Sequence, residues 1–180
     1  MKIKSVELVR DFKLDEYITE FNFKNFDNPE YKYVFCSGYI PESKIKYDSW
    51  SSDGFKIVYN NLCAGVITFS IDRTIYSCYD WEIKLEPQYL NSGIGALALC
   101  KILEYAFRER GFNKINMCVC ANNTRAKKLY EKCSFVRRIG IYYNHFLLRD
   151  GTYENKITYE ISKEDYLEKY KDNITSRFPQ

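Results

Sequence analysis

The 180 residues hold no apolar run long enough to cross a membrane, which takes about 18 residues or more. The opening, MKIKSVELVR, lacks the apolar centre of a signal peptide, so a cytoplasmic location is expected. Charge of one sign is scarce: 27 Lys and Arg against 24 Asp and Glu leave +3. So small an excess gives no strong field toward nucleic acid or an anionic membrane, and neither is expected as a partner. Only 4 Pro and 8 Gly are present, with no low-complexity tract, linker or repeat. At 46% hydrophobic residues the chain has enough apolar material for an ordinary core. One domain over 1–180 follows from the length.

Histidine is nearly absent, with His145 alone. The 7 cysteines are scattered, and the close pair Cys118 and Cys120 has the wrong gap for a zinc knuckle. No metal is expected. An odd number of thiols without an export signal reads as reduced cysteines packed as small apolar residues.

Several elements follow from pattern. Ile3 to Val9 alternates as a strand, and Leu14 to Phe26, with Ile18 and Phe21 apolar, reads as a helix. Residues 28–52 read as irregular, with room for a short helix, in the position of a lid. FKIVYN and CAGVITFSID form two strands around a tight turn, and IYSCYDWEIKL a third that Pro87 stops. From residue 91 to Gly111 an amphipathic helix places Leu99, Ile102, Leu103, Ala106 and Phe107 on one face. KINMCVC is a short strand. Asn122 or Asn123 then caps a helix with Ala126, Leu129, Tyr130 and Cys133 inward. FVRRIGIYYNHFLL and YENKITYEI are the last core strands, joined through Asp150-Gly151. SKEDYLEKYKDN reads as a short, mostly exposed terminal helix. Helices set among mostly antiparallel strands give an α+β class, with six to seven strands in an αβα arrangement.

The stretch Leu90-Asn91-Ser92-Gly93-Ile94-Gly95-Ala96, between a strand and a helix, carries the chemistry. Glycines let the backbone curl toward a ligand. Taken alone, two glycines between a strand and a helix are more often only a turn; the functional reading is that the first-turn N–H groups, backed by the helix dipole, offer an anion site suited to a pyrophosphate. Gly-Lys-Ser/Thr is missing, which excludes a phosphate-loop hydrolase, and the third glycine of a dinucleotide fingerprint is missing too. Further on, Asn123 and Tyr130 are seven apart on one helix face.

These segments together resemble the GNAT (Gcn5-related) N-acetyltransferases over about residues 55–161. Gly93 and Gly95 match the glycines of the family's phosphate loop, and Glu86-Pro87-Gln88-Tyr89 matches its lead-in. Asn123-Thr-Arg-Ala through Leu129-Tyr130-Glu131-Lys132 to Phe135 matches the second signature. The tail Arg149-Asp150-Gly151-Thr152-Tyr153 is similar to the branch of ribosomal-protein-alanine and spermidine acetyltransferases. Two positions depart: Leu90 stands where Arg or Gln is usual, and Ser134 where Gly is usual. The second puts a side chain at a turn that often needs positive φ.

The resemblance implies a GNAT-like fold and acetyl-CoA as co-substrate. Residues 90–96 would hold the pyrophosphate end, and Ala126 would also touch the coenzyme. The arm would lie along the strand holding Ile83 and Leu85, splayed from the strand 114–120, and Asn123 would bind its amides. Tyr130 would hydrogen-bond or protonate the leaving thiolate. The acceptor is a primary amine, of a small molecule or a peptide, and it must lose a proton before attack. Glu82, on the strand beside the coenzyme, is the first candidate base, with Asp80 and water in reserve. Lys127 or Lys128 would reach the 3′-phosphate or sit in solvent. Tyr47, Trp50, Tyr79 and Trp81 are candidates to hold a cation or to pack in the core. Acceptor contacts belong to residues 1–54, the coenzyme site to 55–162 and a tail to 163–180. A homodimer is compatible with the resemblance. A coenzyme-binding sensor of the same fold without turnover is the alternative.

Overall fold

The structure is a computed structural model that describes residues 5–10, 14–25, 27–33 and 52–168. Met1 to Lys4, Phe26, most of 28–52 including Tyr47 and Trp50, and the chain after 168 lie outside the described residues. The elements run β1 (Val6–Val9), α1 (Leu14–Asn25), β2 (Ser52–Tyr59), β3 (Leu62–Asp72), β4 (Ser77–Leu85), α2 (Ile94–Glu104), β5 (Lys114–Cys120), α3 (Thr124–Glu131), β6 (Arg137–Leu147) and β7 (Tyr153–Ser162). Short 3-10 turns occupy Pro29–Tyr31 and Pro87–Tyr89. No described helix is long and apolar enough to cross a membrane.

The strands form one sheet in the order β1-β2-β3-β4-β5-β7-β6. All neighbours are antiparallel except β4 and β5. Phe55 of β2 meets Tyr105 beyond α2, with ring centroids 4.9 Å apart. A Cβ on the adjacent Gly54 would meet Leu14 of α1 at 2.9 Å. Successive residues of a strand face opposite ways, so α1 and α2 cover opposite faces. The αβα layering expected from the pattern is therefore present.

The core is built from alternating strand residues such as Ile57, Ile67, Ile115 and Ile161, all fully buried. Against them lie Ile94, Ala98, Leu99, Ile102 and Leu103 of α2. Each such large side chain contributes about 1.5–3 kcal/mol by leaving water. Gly65 is required by a close approach: a Cβ there would stand 2.1 Å from the Lys84 carbonyl oxygen.

Four expectations need correction. The helix from 94 is regular only to Glu104; Tyr105–Glu109 is a π-helical turn that turns the Tyr105 hydroxyl toward Arg10, Asp53 and Arg110. The segment 137–147 is not a core strand. As β6 it is the sheet's edge, and Ile139, Tyr142 and Tyr143 are exposed. The terminal helical turn at 163–168 is not mostly exposed: Tyr166 is buried against Phe107 and Phe135, and Asp165 holds Arg137 at 2.6 Å. Ser134 has no positive φ, so the turn before Phe135 does not need glycine.

Candidate functional site

The site begins where the sheet fails to close. β4 and β5 pair only at Ser77–Lys114 and Cys78–Ile115, then part. On its other side β5 pairs β7 throughout, from Lys114–Ser162 to Cys120–Lys156. A bulge marks the parting. Thr68 faces Glu82 and Ser70 faces Tyr79, so β4 carries one residue more than β3 across Asp80 and Trp81.

Which edge the free backbone groups face follows from one bond. Glu86 N–H donates to the Ala64 carbonyl on the β3 side at 2.8 Å. Alternation then turns the N–H and C=O of Leu85 and Ile83 toward the gap. The Tyr31 hydroxyl, which donates to the Leu85 carbonyl, confirms the direction.

The gap opens into a groove of about 440 Å³. One wall is β4, with Ile83, Lys84 and Leu85. The second is the turn with Leu90, Asn91, Gly93, Gly95 and Ala96. The third is α3, through Asn123, Arg125, Ala126, Lys128 and Tyr130.

At the turn, Gly93 has φ 89°, a left-handed conformation that a side chain strains, and no side chain caps the helix there. Asn91 also takes positive φ (58°), which asparagine tolerates. The N–H groups of Asn91, Ser92, Gly93 and Gly95 have no acceptor within the described residues. Ala96 N–H bonds back to the Gly93 carbonyl at 3.1 Å. Ser92 and Ile94 serve the turn instead of lining the groove. The Ser92 hydroxyl donates to the Tyr89 carbonyl at 2.6 Å and accepts from Ile94 N–H at 3.3 Å, while the Ile94 side chain is buried in the core. Leu90, in place of Arg or Gln, packs against Phe21 and Tyr31, so it joins the turn to α1.

On α3, Asn123 is the cap. Its Oδ1 accepts from Ala126 N–H at 3.2 Å, which leaves its amide nitrogen to donate elsewhere. Tyr130 is 4% exposed, lines the groove and lies 5.5 Å from the ring of Tyr159. Burial, then the electrostatic influence of Cys118 and Glu82, pushes its phenol above the ordinary value. It therefore stays protonated at neutral pH and can donate. Glu131, next along the helix, turns away and accepts from the Tyr159 hydroxyl at 2.9 Å.

Glu82 does not line the groove, and its side chain is 45% exposed. It is paired with the buried Lys84 at 2.7 Å, its same-face neighbour at i+2. Asp80 sits in the bulge of β4. Trp81 is a core residue stacked on Phe69 at 5.5 Å, and Tyr79 is partly exposed. Among the described cysteines, Cys78 and Cys120 are buried, while Cys63, Cys100, Cys118 and Cys133 are only half-buried, short of full core packing; none of the six forms a disulfide. No cluster of metal ligands occurs among the described residues.

Three contributors were not read from sequence. Tyr31 lines the groove from the segment read as irregular, held edge-on to Phe21 at 5.8 Å. Arg125 is held by Glu30, and Arg149 and Lys32 by Asp27 and Asp150 at 2.9 and 3.1 Å. These pairs strap residues 27–32 to α3 and to the β6–β7 hairpin. Lys84 is the third. Its pairing with Glu82 was readable from i, i+2 spacing on a strand, whereas nothing in the sequence marks Tyr31.

The sequence profile of the Acetyltransferase (GNAT) family matches residues 14–135. The spermidine N(1)-acetyltransferase of Vibrio cholerae serotype O1 is 26% identical over 93 residues, 52% of this chain and 53% of that protein. The match thus spans about half the length of that curated relative. The crystal structure of spermidine N-acetyltransferase from Vibrio cholerae in complex with CoA and spermine superposes with a TM-score of 0.74 at 20% identity, covering 91% of this chain and 98% of that one. A dodecameric structure of the Vibrio cholerae enzyme gives a TM-score of 0.71 at 18% identity, covering 91% and 96%. These superpositions show that the chain shares the fold of those structures. With the family profile matching most of its length, the chain belongs to the acetyltransferase (GNAT) family.

Proposed function

We propose that this chain transfers an acetyl group from acetyl-CoA directly to a primary amine, with a polyamine as the first acceptor class to test. The observation that carries the reading is the split between β4 and β5, flanked by a turn of unpaired N–H groups. An extended thioester arm needs such an edge, and a pyrophosphate needs such a turn. The polyamine comes from the spermidine acetyltransferases that the chain resembles.

Each residue has a defined task. Asn91, Gly93, Gly95 and their neighbours in 90–96 receive the pyrophosphate, with Ala126 across the groove. Backbone groups of Ile83 and Leu85 pair with the arm, and the Asn123 amide nitrogen donates to one of its carbonyls. A β4 N–H near Ile83 polarises the thioester carbonyl and stabilises the oxyanion. The amine nitrogen attacks the carbonyl carbon, the C–N bond forms, and the C–S bond breaks. Sulfur keeps the electron pair and takes a hydrogen bond, or the proton, from Tyr130. The ammonium gives one proton to Glu82, with Asp80 and water in reserve, before the amine attacks; the second proton leaves nitrogen as the intermediate collapses and balances the one that sulfur takes.

Residues 1–54 are assigned to the acceptor side, 55–162 to the coenzyme and 163–180 to a tail, within one domain. Six described cysteines without a disulfide suit a reducing, cytoplasmic compartment. Self-association, as in the dodecameric relative, belongs to the proposal as well. Nothing favours a sensor without turnover, since Leu90 and Ser134 both fit the fold.

The test is a panel of polyamines, peptides with free N-termini and other small amines, read by thiol release from acetyl-CoA. Release with at least one amine is expected. A coenzyme-stabilised protein that releases no thiol with any amine would count against catalysis.

A further inference from the structure

The charges around the groove are one-sided. Among the described residues, its lining includes Lys84, Arg125, Lys128 and Lys132 and not one Asp or Glu. Two of these cations lie on α3 and the third, Lys132, is its C-cap, so that they stand at i, i+3 and i+7 in a single stripe. Lys132 keeps helical geometry as the C-cap (φ −74°, ψ −19°), so the stripe runs unbroken.

The cations differ in what already holds them. Arg125 is taken by Glu30, and Lys84 by Glu82 at 2.7 Å. Lys127, off the stripe, donates to the Ala121 carbonyl at 3.0 Å. Glu131, which could have neutralised its neighbours, is bonded to Tyr159. Lys128 and Lys132 line the groove, are exposed and have no partner among the described residues. They are four apart, so they share one face of the helix, and they border the same groove as Leu90, Asn91, Gly93, Gly95 and Ala96 of the turn.

A pyrophosphate on that turn is served by backbone N–H groups. The coenzyme carries one further anionic group, the 3′-phosphate, a monoester close to doubly charged at neutral pH. Two free ammonium groups match it in sign and number, and the absence of carboxylates from the lining removes any competitor. We infer that Lys128 and Lys132 seat the 3′-phosphate and make this protein discriminate coenzyme A from dephospho-coenzyme A. The inference rests on the acetyl-CoA reading and adds the residues that select the phosphorylated form.

Calorimetry with CoA and with dephospho-CoA on the full chain tests it without an acceptor amine. Wild type should bind CoA about tenfold more tightly, the scale of two exposed charge pairs. The Lys128→Gln/Lys132→Gln double variant, which keeps most of each aliphatic stem, should bind the two alike. The Lys128→Arg/Lys132→Arg variant should keep the preference, and added salt should shrink it in wild type. Equal wild-type affinities would overturn the lysine seat and leave the acetyl-CoA reading standing. So would a double variant that keeps the wild-type preference, or that weakens for both ligands equally, the mark of a general support of the groove. No binding of either ligand would overturn the acetyl-CoA reading, and the lysine seat with it.

Discussion

The two ends of α2 handle polar groups in opposite ways. At the N-terminal end Gly93 curls through positive φ, no side chain caps the helix, and N–H groups are left without acceptors among the described residues. At the C-terminal end the π-helical turn drives the Tyr105 hydroxyl into a closed network. Arg10 and Arg110 donate to it, and Asp53 lies 3.3 Å away. Asp53 also holds Arg10 at 2.5 Å. Burial raises the Tyr105 phenol, which therefore remains a neutral member of the network. Groups satisfied within the chain serve the scaffold. Groups left open at the mouth of a groove cost stability that a ligand recovers on binding. The contrast, more than any single residue, separates site from support.

Substitutions at the open end should change binding or turnover. Gly93→Asp sets a carboxylate against the pyrophosphate in a strained backbone position. CoA affinity should fall about a hundredfold or more by calorimetry; unchanged affinity would put the coenzyme elsewhere. Glu82→Gln should lower kcat at least about tenfold at pH 7 and recover as pH rises, because an alkyl ammonium with pKa near ~10 then deprotonates in bulk water. A superimposable pH–rate profile would pass the proton to Asp80 or to water. Tyr130→Phe should lower kcat by about tenfold with little change in CoA affinity, and wild-type turnover would remove Tyr130 from the chemistry.

At the closed end the expectation reverses. Asp53→Asn leaves two arginines facing each other and should cost about 1–2 kcal/mol in urea unfolding. CoA affinity should hold; if it dropped while stability stayed put, the division between the two ends would fail. The smallest effect belongs to the exposed hairpin. Asp150 is held down to about 2 by hydrogen bonds from Thr152 and by Lys32. A lowered carboxyl adds stability that is present above its ordinary value of 3.8 and is lost as pH falls through about 2. The gap in melting temperature between wild type and Asp150→Ala should be constant above pH 4 and close toward pH 2. A gap that widened there would reverse the assignment.

Much of the fold was legible because local chemistry and packing agree. Alternation in 55–72, the helical spacing of Leu99, Ile102, Leu103 and Ala106, and Asp150-Gly151 between two strands each match what formed. The turn at Gly93 and the cap at Asn123 were legible for the same reason, since backbone geometry limits which residues fit. Contacts between distant segments were not. The widened turn at Tyr105 depends on Arg10 and Asp53, and the buried Tyr166 depends on Phe107 and Phe135. β6 has the β-rich composition of an inner strand yet lies at the edge, because sheet order is not written in any one strand. Ser134 shows the reverse error, where a glycine habit was read as a conformational need.

The parting of β4 from β5 also sets how the strand trades hydrogen with solvent. Amides of Glu82 and Lys84 are turned to β3 and locked in its ladder, whereas those of Ile83 and Leu85 face the gap. Deuterium should therefore enter residues 82–85 of β4 at every second position. A strand that looks uniform in outline is two populations by exchange rate, and filling the groove should erase the difference.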